Sequence, residues 1–226
     1  HPVAHSFPTR RSSDLIGRGE FVSVMGPSGS GKSTLLYNIS GMDRMTAGSV
    51  VFDGQELSEL SEEALSDLRL TEMGFIFQHI HLLSNLSVFD NVILPGYLAG
   101  NGARKEIDRR AQDLMERVGI ADLADHDVTQ ASGGQLQRVG ICRALINEPV
   151  ILFGDEPTGA LNSRAAGEIM DLLADINRSG MTIMVVTHNA KVAARTERVL
   201  FMLDGTIVSE RRLGPYTDNG DAGSRE

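Results

Sequence analysis

The sequence predicts an α/β protein: a mostly parallel sheet covered by helices, with a small antiparallel β portion and an inserted helical subdomain. Three observations carry that expectation. Continuous apolar strands alternate with helical segments, as strands buried on both faces require. A glycine-rich loop, "GPSGSGKST" at residues 26–34, sits between the first strand and the first helix. From about His79 to Gln130 the strand signal gives way to helical periodicity.

The elements follow in order. "FVSVM" (Phe21–Met25) is a short apolar strand running into the loop, and "STLLYNISG" is a helix with Leu35, Leu36 and Ile39 at helical spacing and Gly41 as its stop. "SVVFDGQEL" is a strand ending in an Asp53–Gly54 turn. "SEEALSDLRL" opens with a serine followed by acids, a helix-start signature. "GFIFQ" (Gly74–Gln78) is a buried strand. In the helix-rich stretch, Ile107, Ala111, Leu114, Met115 and Val118 form one apolar stripe. Strands return with "VILFG" (Val150–Gly154), "TIMVV" (Thr182–Val186) and "VLFML" (Val199–Leu203), followed by an Asp204–Gly205 turn and "TIV"; helix lies around Ala165–Ile176. No internal repeats are found.

Composition narrows the function classes. A chain of 226 residues suits one sizeable domain with an inserted subdomain. Hydrophobic and charged shares of 41% and 23% are those of an ordinary soluble protein. No apolar run approaches the roughly 18 residues of a membrane span, so direct membrane insertion is not expected. A net charge of −9 argues against general nucleic-acid binding, which needs a basic face. Cys142 cannot form an internal disulfide and lies among Ile141, Ala144, Leu145 and Ile146, so it reads as a small core residue in a reducing, cytoplasmic protein.

The ends are expected to contribute little. "HPVAHSFPTRRSSDL" has neither strand alternation nor helical period, and His5–Leu15 resemble a translated sequencing adapter. Residues 1–15 are therefore expected to be a disordered assembly artefact, with native sequence from near Ile16. The polar tail from Gly214 is likewise expected to be disordered.

Gly26, Gly31, Lys32 and Ser33 satisfy G-x-x-x-x-G-K-[ST] in the strand–loop–helix context that the motif requires. The loop Gly26–Pro27–Ser28–Gly29–Ser30–Gly31 can turn successive N–H groups toward phosphate oxygens. Lys32 adds a point charge, and the hydroxyl of Ser33, beside Thr34, can ligate Mg²⁺. This places the chain in the P-loop NTPase fold class. "ILFGDEP" delivers Asp155 and Glu156 to a strand's carboxyl end, where open α/β sheets bind ligands. One carboxylate can hold a Mg²⁺ water shell while its neighbour orients or deprotonates a water. Alone, such an acidic pair reads as a helix cap; beside a phosphate loop it reads as a site. His188 and Gln78 also end strands, and the Gln78 amide can bind a metal-bound water. Each is weak separately, but four strand ends converging on one loop make a constellation.

"ASGGQLQR" at residues 131–138 is a second small-residue turn opening a helix, again suited to an anion. The order glycine loop, Gln78, Ser132–Gly133–Gly134–Gln135, Asp155–Glu156, His188 resembles the ATP-binding-cassette (ABC) ATPases over nearly all of Phe21–Ile207. The resemblance implies ATP and Mg²⁺ as cofactors, with Glu156, His188 and Gln78 catalytic and Ser33, Gln78 and Asp155 at the metal. It also implies a head-to-tail dimer, in which each Ser132–Gln135 turn closes on the partner's ATP. The attached object would be a membrane permease docked in the groove between Gln78 and the helical insert, whose "HIHLLSNLSVFDNVILPGYL" is apolar enough for a partner surface. The domain would span 16–213, with the helical subdomain at about 79–147, and lie peripherally on the inner face of the membrane. "SELSEEALSDLRLTEMGFIFQ", "EPTGALNS" and "VTHNAKVAARTERVLFMLDG" resemble in particular the ATPases of the macrolide-exporter, lipoprotein-releasing and bacitracin-resistance group. Those work with permeases that move or sense amphipathic molecules, often peptides.

Three positions depart from the family pattern. Ala131 stands where most relatives have leucine, and Asn162 where many have aspartate. The family's adenine-stacking aromatic has no evident counterpart, since only Phe7 and the strand residue Phe21 lie upstream of the loop. Weak ATP binding and poor solubility are expected from this. Other readings stay open at this level: a soluble ABC ATPase on ribosomes, DNA or division machinery, a P-loop kinase, or a non-catalytic regulator. A kinase gives no role to Ser132–Gln135 or His188, and a regulator none to Glu156.

Overall fold

The computed structural model describes residues 15–215; all but the last residue of the expected artefact (1–15), and all but the first two of the expected tail (214–226), lie outside the described residues. Among the described residues the main sheet has six strands in the order β4-β5-β6-β1-β7-β8. These are β1 (Phe21–Met25), β4 (Met73–Phe77), β5 (Ile151–Asp155), β6 (Thr182–Thr187), β7 (Arg198–Leu203) and β8 (Thr206–Arg212). Five are parallel, and β8 returns antiparallel to β7. Alternation along the strands divides the core between two faces. Val22, Val24, Met184, Val186, Leu200 and Met202 meet Leu36 of α1 (Lys32–Ile39) on one side. Phe21, Leu152, Ile183 and Val185 meet α5 (Gly133–Leu145) and α6 (Ser163–Arg178) on the other. The mostly parallel, helix-covered sheet is the expected one.

Two elements differ from the sequence reading. "SVVFDGQEL" is not one strand but a hairpin, β2 (Val51–Phe52) and β3 (Gln55–Glu56), forming a separate antiparallel sheet. Asp53 (φ 47) and Gly54 (φ 84) are both left-handed, the condition for a tight turn that folds the chain back on itself. β8 is longer than "TIV" because its Ser209–Arg212 half pairs with β7 while standing at the sheet's edge, where polar side chains reach water.

The helix-rich stretch resolves into α3 (Val88–Ala99) and α4 (Arg104–Arg117). The expected stripe is real: Ile107, Ala111, Met115 and Val118 are buried and Leu114 partly so. Together with α5 these helices pack against α2 (Glu62–Glu72) and β4, so the insert is anchored beside the strand that leads into Gln78. Ser61 caps α2 through its hydroxyl, as expected. The short helix α7 (Ala190–Ala193) follows directly after His188. Cys142 is fully buried.

Candidate functional site

Parallel pairing puts the carboxyl ends of β4, β5, β6 and β1 side by side, and the four expected strand ends do converge. An open cleft of about 970 Å³ is lined by the glycine loop, Gln78, Glu156, His188 and Phe201. Gly26 is required by close approach: a Cβ there would lie 2.1 Å from the Met202 carbonyl oxygen. Pro27, Ser28 and Gly29 are exposed at the rim, and Thr34 beside them. Ser30 faces inward instead; its side chain is buried, its N–H donates to the Pro27 carbonyl at 3.2 Å, and its carbonyl accepts from the Gly205 N–H at 2.9 Å. The Lys32 ammonium folds back onto the loop, donating to the Gly26 and Pro27 carbonyls, each at 2.9 Å.

Behind the loop, Ser33 donates to one Asp155 oxygen at 2.9 Å and Tyr37 to the other at 2.7 Å. The bond to Asp155, then burial, pushes the Tyr37 phenol up to about 12. Hydroxyl, carboxylate and amide oxygens at Ser33, Asp155 and Gln78 are the hard donor set that Mg²⁺ takes. Next in the chain, Glu156 has a left-handed backbone (φ 47), a conformation that costs a non-glycine residue about 1–3 kcal/mol. Its surroundings hold it there. Its N–H donates to Val186 O at 3.0 Å, while its carboxylate accepts from the Thr187 hydroxyl at 3.0 Å and the His188 N–H at 2.9 Å, and lies 2.6 Å from His188 Nδ1. Gln78 lies over Gly159, where a Cβ would approach its side-chain Cδ to 2.9 Å.

Ser132–Gln135 is not part of this cluster. It lines a separate cleft of about 330 Å³ with Arg138, Asn162 and Glu168. Ser132 is the N-cap of α5: its hydroxyl accepts from the Gln135 N–H at 3.4 Å, and Gln135 Oε1 accepts from the Ser132 N–H at 2.8 Å. Ala131 packs half-buried against the core. Asn162 caps α6, its Oδ1 accepting from Ala165 N–H at 2.9 Å, a bond an aspartate would also make. Sequence reasoning passed over Tyr37, Thr187 and Gly159. The four-residue step from Ser33 to Tyr37, one helical turn on the same face, was the readable signal; the other two had none.

The sequence pattern described as ABC transporter matches residues 11–159. The chain belongs to the ABC transporter family. It is an ATP-binding-cassette ATPase, and the P-loop NTPase fold expected for it is the one its solved neighbours share. It is 47% identical over 206 residues to the macrolide export ATP-binding/permease protein MacB 1/2 of Paracoccus denitrificans, covering 91% of this chain and 31% of that protein. It is 46% identical over 199 residues to the lipoprotein-releasing system ATP-binding protein LolD 1 of Chlorobium chlorochromatii, covering 88% of this chain and 81% of that protein. The chain therefore spans about a third of the macrolide-export relatives it matches, and most of the lipoprotein-releasing one. Among solved structures it is similar to a dimeric ATP-binding cassette in a post-hydrolysis state bound to ADP and Pi (TM-score 0.81, 40% identity, 89% of each chain). No helix of this ABC cassette, among the described residues, is long and apolar enough to cross a membrane.

Proposed function

We propose that this cassette hydrolyses ATP with Mg²⁺ as the nucleotide-binding subunit of an exporter, closing head-to-tail on a second copy and driving a membrane permease. The observation that carries this reading is the presence of two anion-binding turns in two separate clefts. The phosphate-loop cleft has Lys32 and Glu156, with Asp155 behind the loop; the Ser132–Gln135 cleft has no lysine, its Arg138 is paired with Glu168 at 3.4 Å, and it would hold nucleotide poorly alone. Two copies facing each other give each nucleotide a loop from one chain and a helix N-terminus from the other.

Within a site, the loop N–H groups and Lys32 bind the phosphates, Lys32 leaving its two carbonyl partners to do so. Ser33, Asp155 and Gln78 would hold Mg²⁺, which supplies charge neutralisation at the β- and γ-phosphates when bound. Glu156 orients or deprotonates the attacking water, its carboxylate fixed by Thr187 and His188. A nucleotide shared by both chains joins them, and its cleavage removes the joint. That shift of population is what an attached permease can use. The domain is 16–213, with the 79–147 subdomain offering the permease surface at the inner membrane face. The relatives' names, macrolide export and lipoprotein-releasing, favour an exporter, and amphipathic molecules or peptides are the cargo that reading proposes.

Glu156→Gln is expected to bind ATP, form a stable dimer and not turn over. Size-exclusion chromatography with and without ATP tests this; a Glu156→Gln chain that remains monomeric at saturating ATP refutes the dimer.

A further inference from the structure

We infer that Tyr37 is a positioning residue for the metal site, aiming the Asp155 carboxylate through its phenol hydroxyl; this rests on the ATPase reading above. Ser33 and Tyr37 stand one turn apart on α1, and each gives a hydrogen bond to a different oxygen of Asp155, at 2.9 and 2.7 Å. A carboxylate with one oxygen held can still swing about its Cβ–Cγ bond. With both held, its plane is set. The two hydroxyls are not equivalent. Ser33 can donate to Asp155 and still offer a lone pair to a metal. Tyr37 lies deeper along the helix, does not line the cleft, and is left with orientation as its contribution.

The rest of Tyr37 does other things, which separates the hydroxyl from the fold. Its ring packs half-buried against the core on the α1 side of the sheet. Its carbonyl ends the helix, accepting from the Met42 N–H at 2.8 Å and the Asp43 N–H at 3.1 Å. Tyr37→Phe keeps both and deletes one hydrogen bond. Partners that orient a metal-binding carboxylate are typically worth roughly 10–100-fold in metal affinity.

The test uses the full chain with a non-hydrolysable ATP analogue and Mn²⁺ as the probe metal, read by electron paramagnetic resonance. Tyr37→Phe is expected to weaken Mn²⁺ binding roughly 10–100-fold, to leave analogue affinity in EDTA unchanged, and to raise the Mg²⁺ needed for half-maximal hydrolysis. In an Asp155→Asn background the same change is expected to add little, because the two groups act as one unit. Unchanged Mn²⁺ affinity overturns the proposal. So does an equal loss of metal-free affinity, or failure of Tyr37→Phe to fold, since the hydroxyl would then be supporting structure. If instead wild-type chain binds no nucleotide, or Asp155→Asn leaves Mn²⁺ binding untouched, the underlying ATPase assignment falls, and this inference with it.

Discussion

Cys142 and Glu156 illustrate how differently single residues bear on the molecule. Cys142 is sealed in the core on the buried face of α5, and burial pushes its thiol up to about 12. The folded value lies above the unfolded one, so the neutral thiol is the favoured form and stays so through the physiological range. Native protein at pH 8 is expected to react with a thiol-specific disulfide reagent far more slowly than protein in urea, where the cysteine is free. Rapid native labelling would place the thiol at the surface. Glu156 is the opposite case, a polar residue held in a left-handed backbone by three partners at the mouth of a cleft. Its chemistry was legible from "FGDEP" at a strand's end. Its φ and its tie to Thr187 were not, because both arise from β6 lying beside β5, a contact between residues some thirty positions apart.

At the scale of elements, α5 carries two duties on its first turn. Ser132 caps the helix within the chain and, in the proposed dimer, faces the partner's nucleotide. The two separate experimentally. Ser132→Ala is expected to cost about 1 kcal/mol of stability through the lost cap, about 2–4 °C in melting temperature for a chain this size. ATP binding to the isolated chain is expected to remain, since the phosphate loop lies in the other cleft. Calorimetry and nucleotide titration on the same variant check both. A loss of ATP binding comparable to that of a phosphate-loop variant would mean one cleft, not two. The element pattern itself was readable where strands were apolar throughout, as in β1, β5 and β6. It failed at β2–β3, where a two-residue turn decides between one strand and a hairpin, and along β8, whose outer half is polar.

For the whole molecule the proposed unit of function is a pair. Lys32→Ala leaves the Ser132 turn intact, and a bulky Ser132→Trp leaves the phosphate loop intact; each chain alone is expected to be nearly inactive. Mixed one to one, half the dimers carry both chains, and each of these has one complete site of two. Turnover of about a quarter of wild type is expected if the sites act independently. Mixtures no more active than the separate variants would argue that each chain works alone. From the sequence alone came the phosphate loop, the acidic strand end, the serine–glycine turn and the alternation that builds the sheet. All of these are local: a few consecutive residues with a fixed backbone habit suffice. Strand-end positions suggested that Gln78, Glu156 and His188 meet at one loop; only the tertiary structure decided the clefts that they and Ser132 line, that Thr187 holds Glu156, and that Tyr37 reaches Asp155. Those depend on which strands lie side by side and where each helix crosses them, and burial of the whole core, rather than any short segment, sets that arrangement.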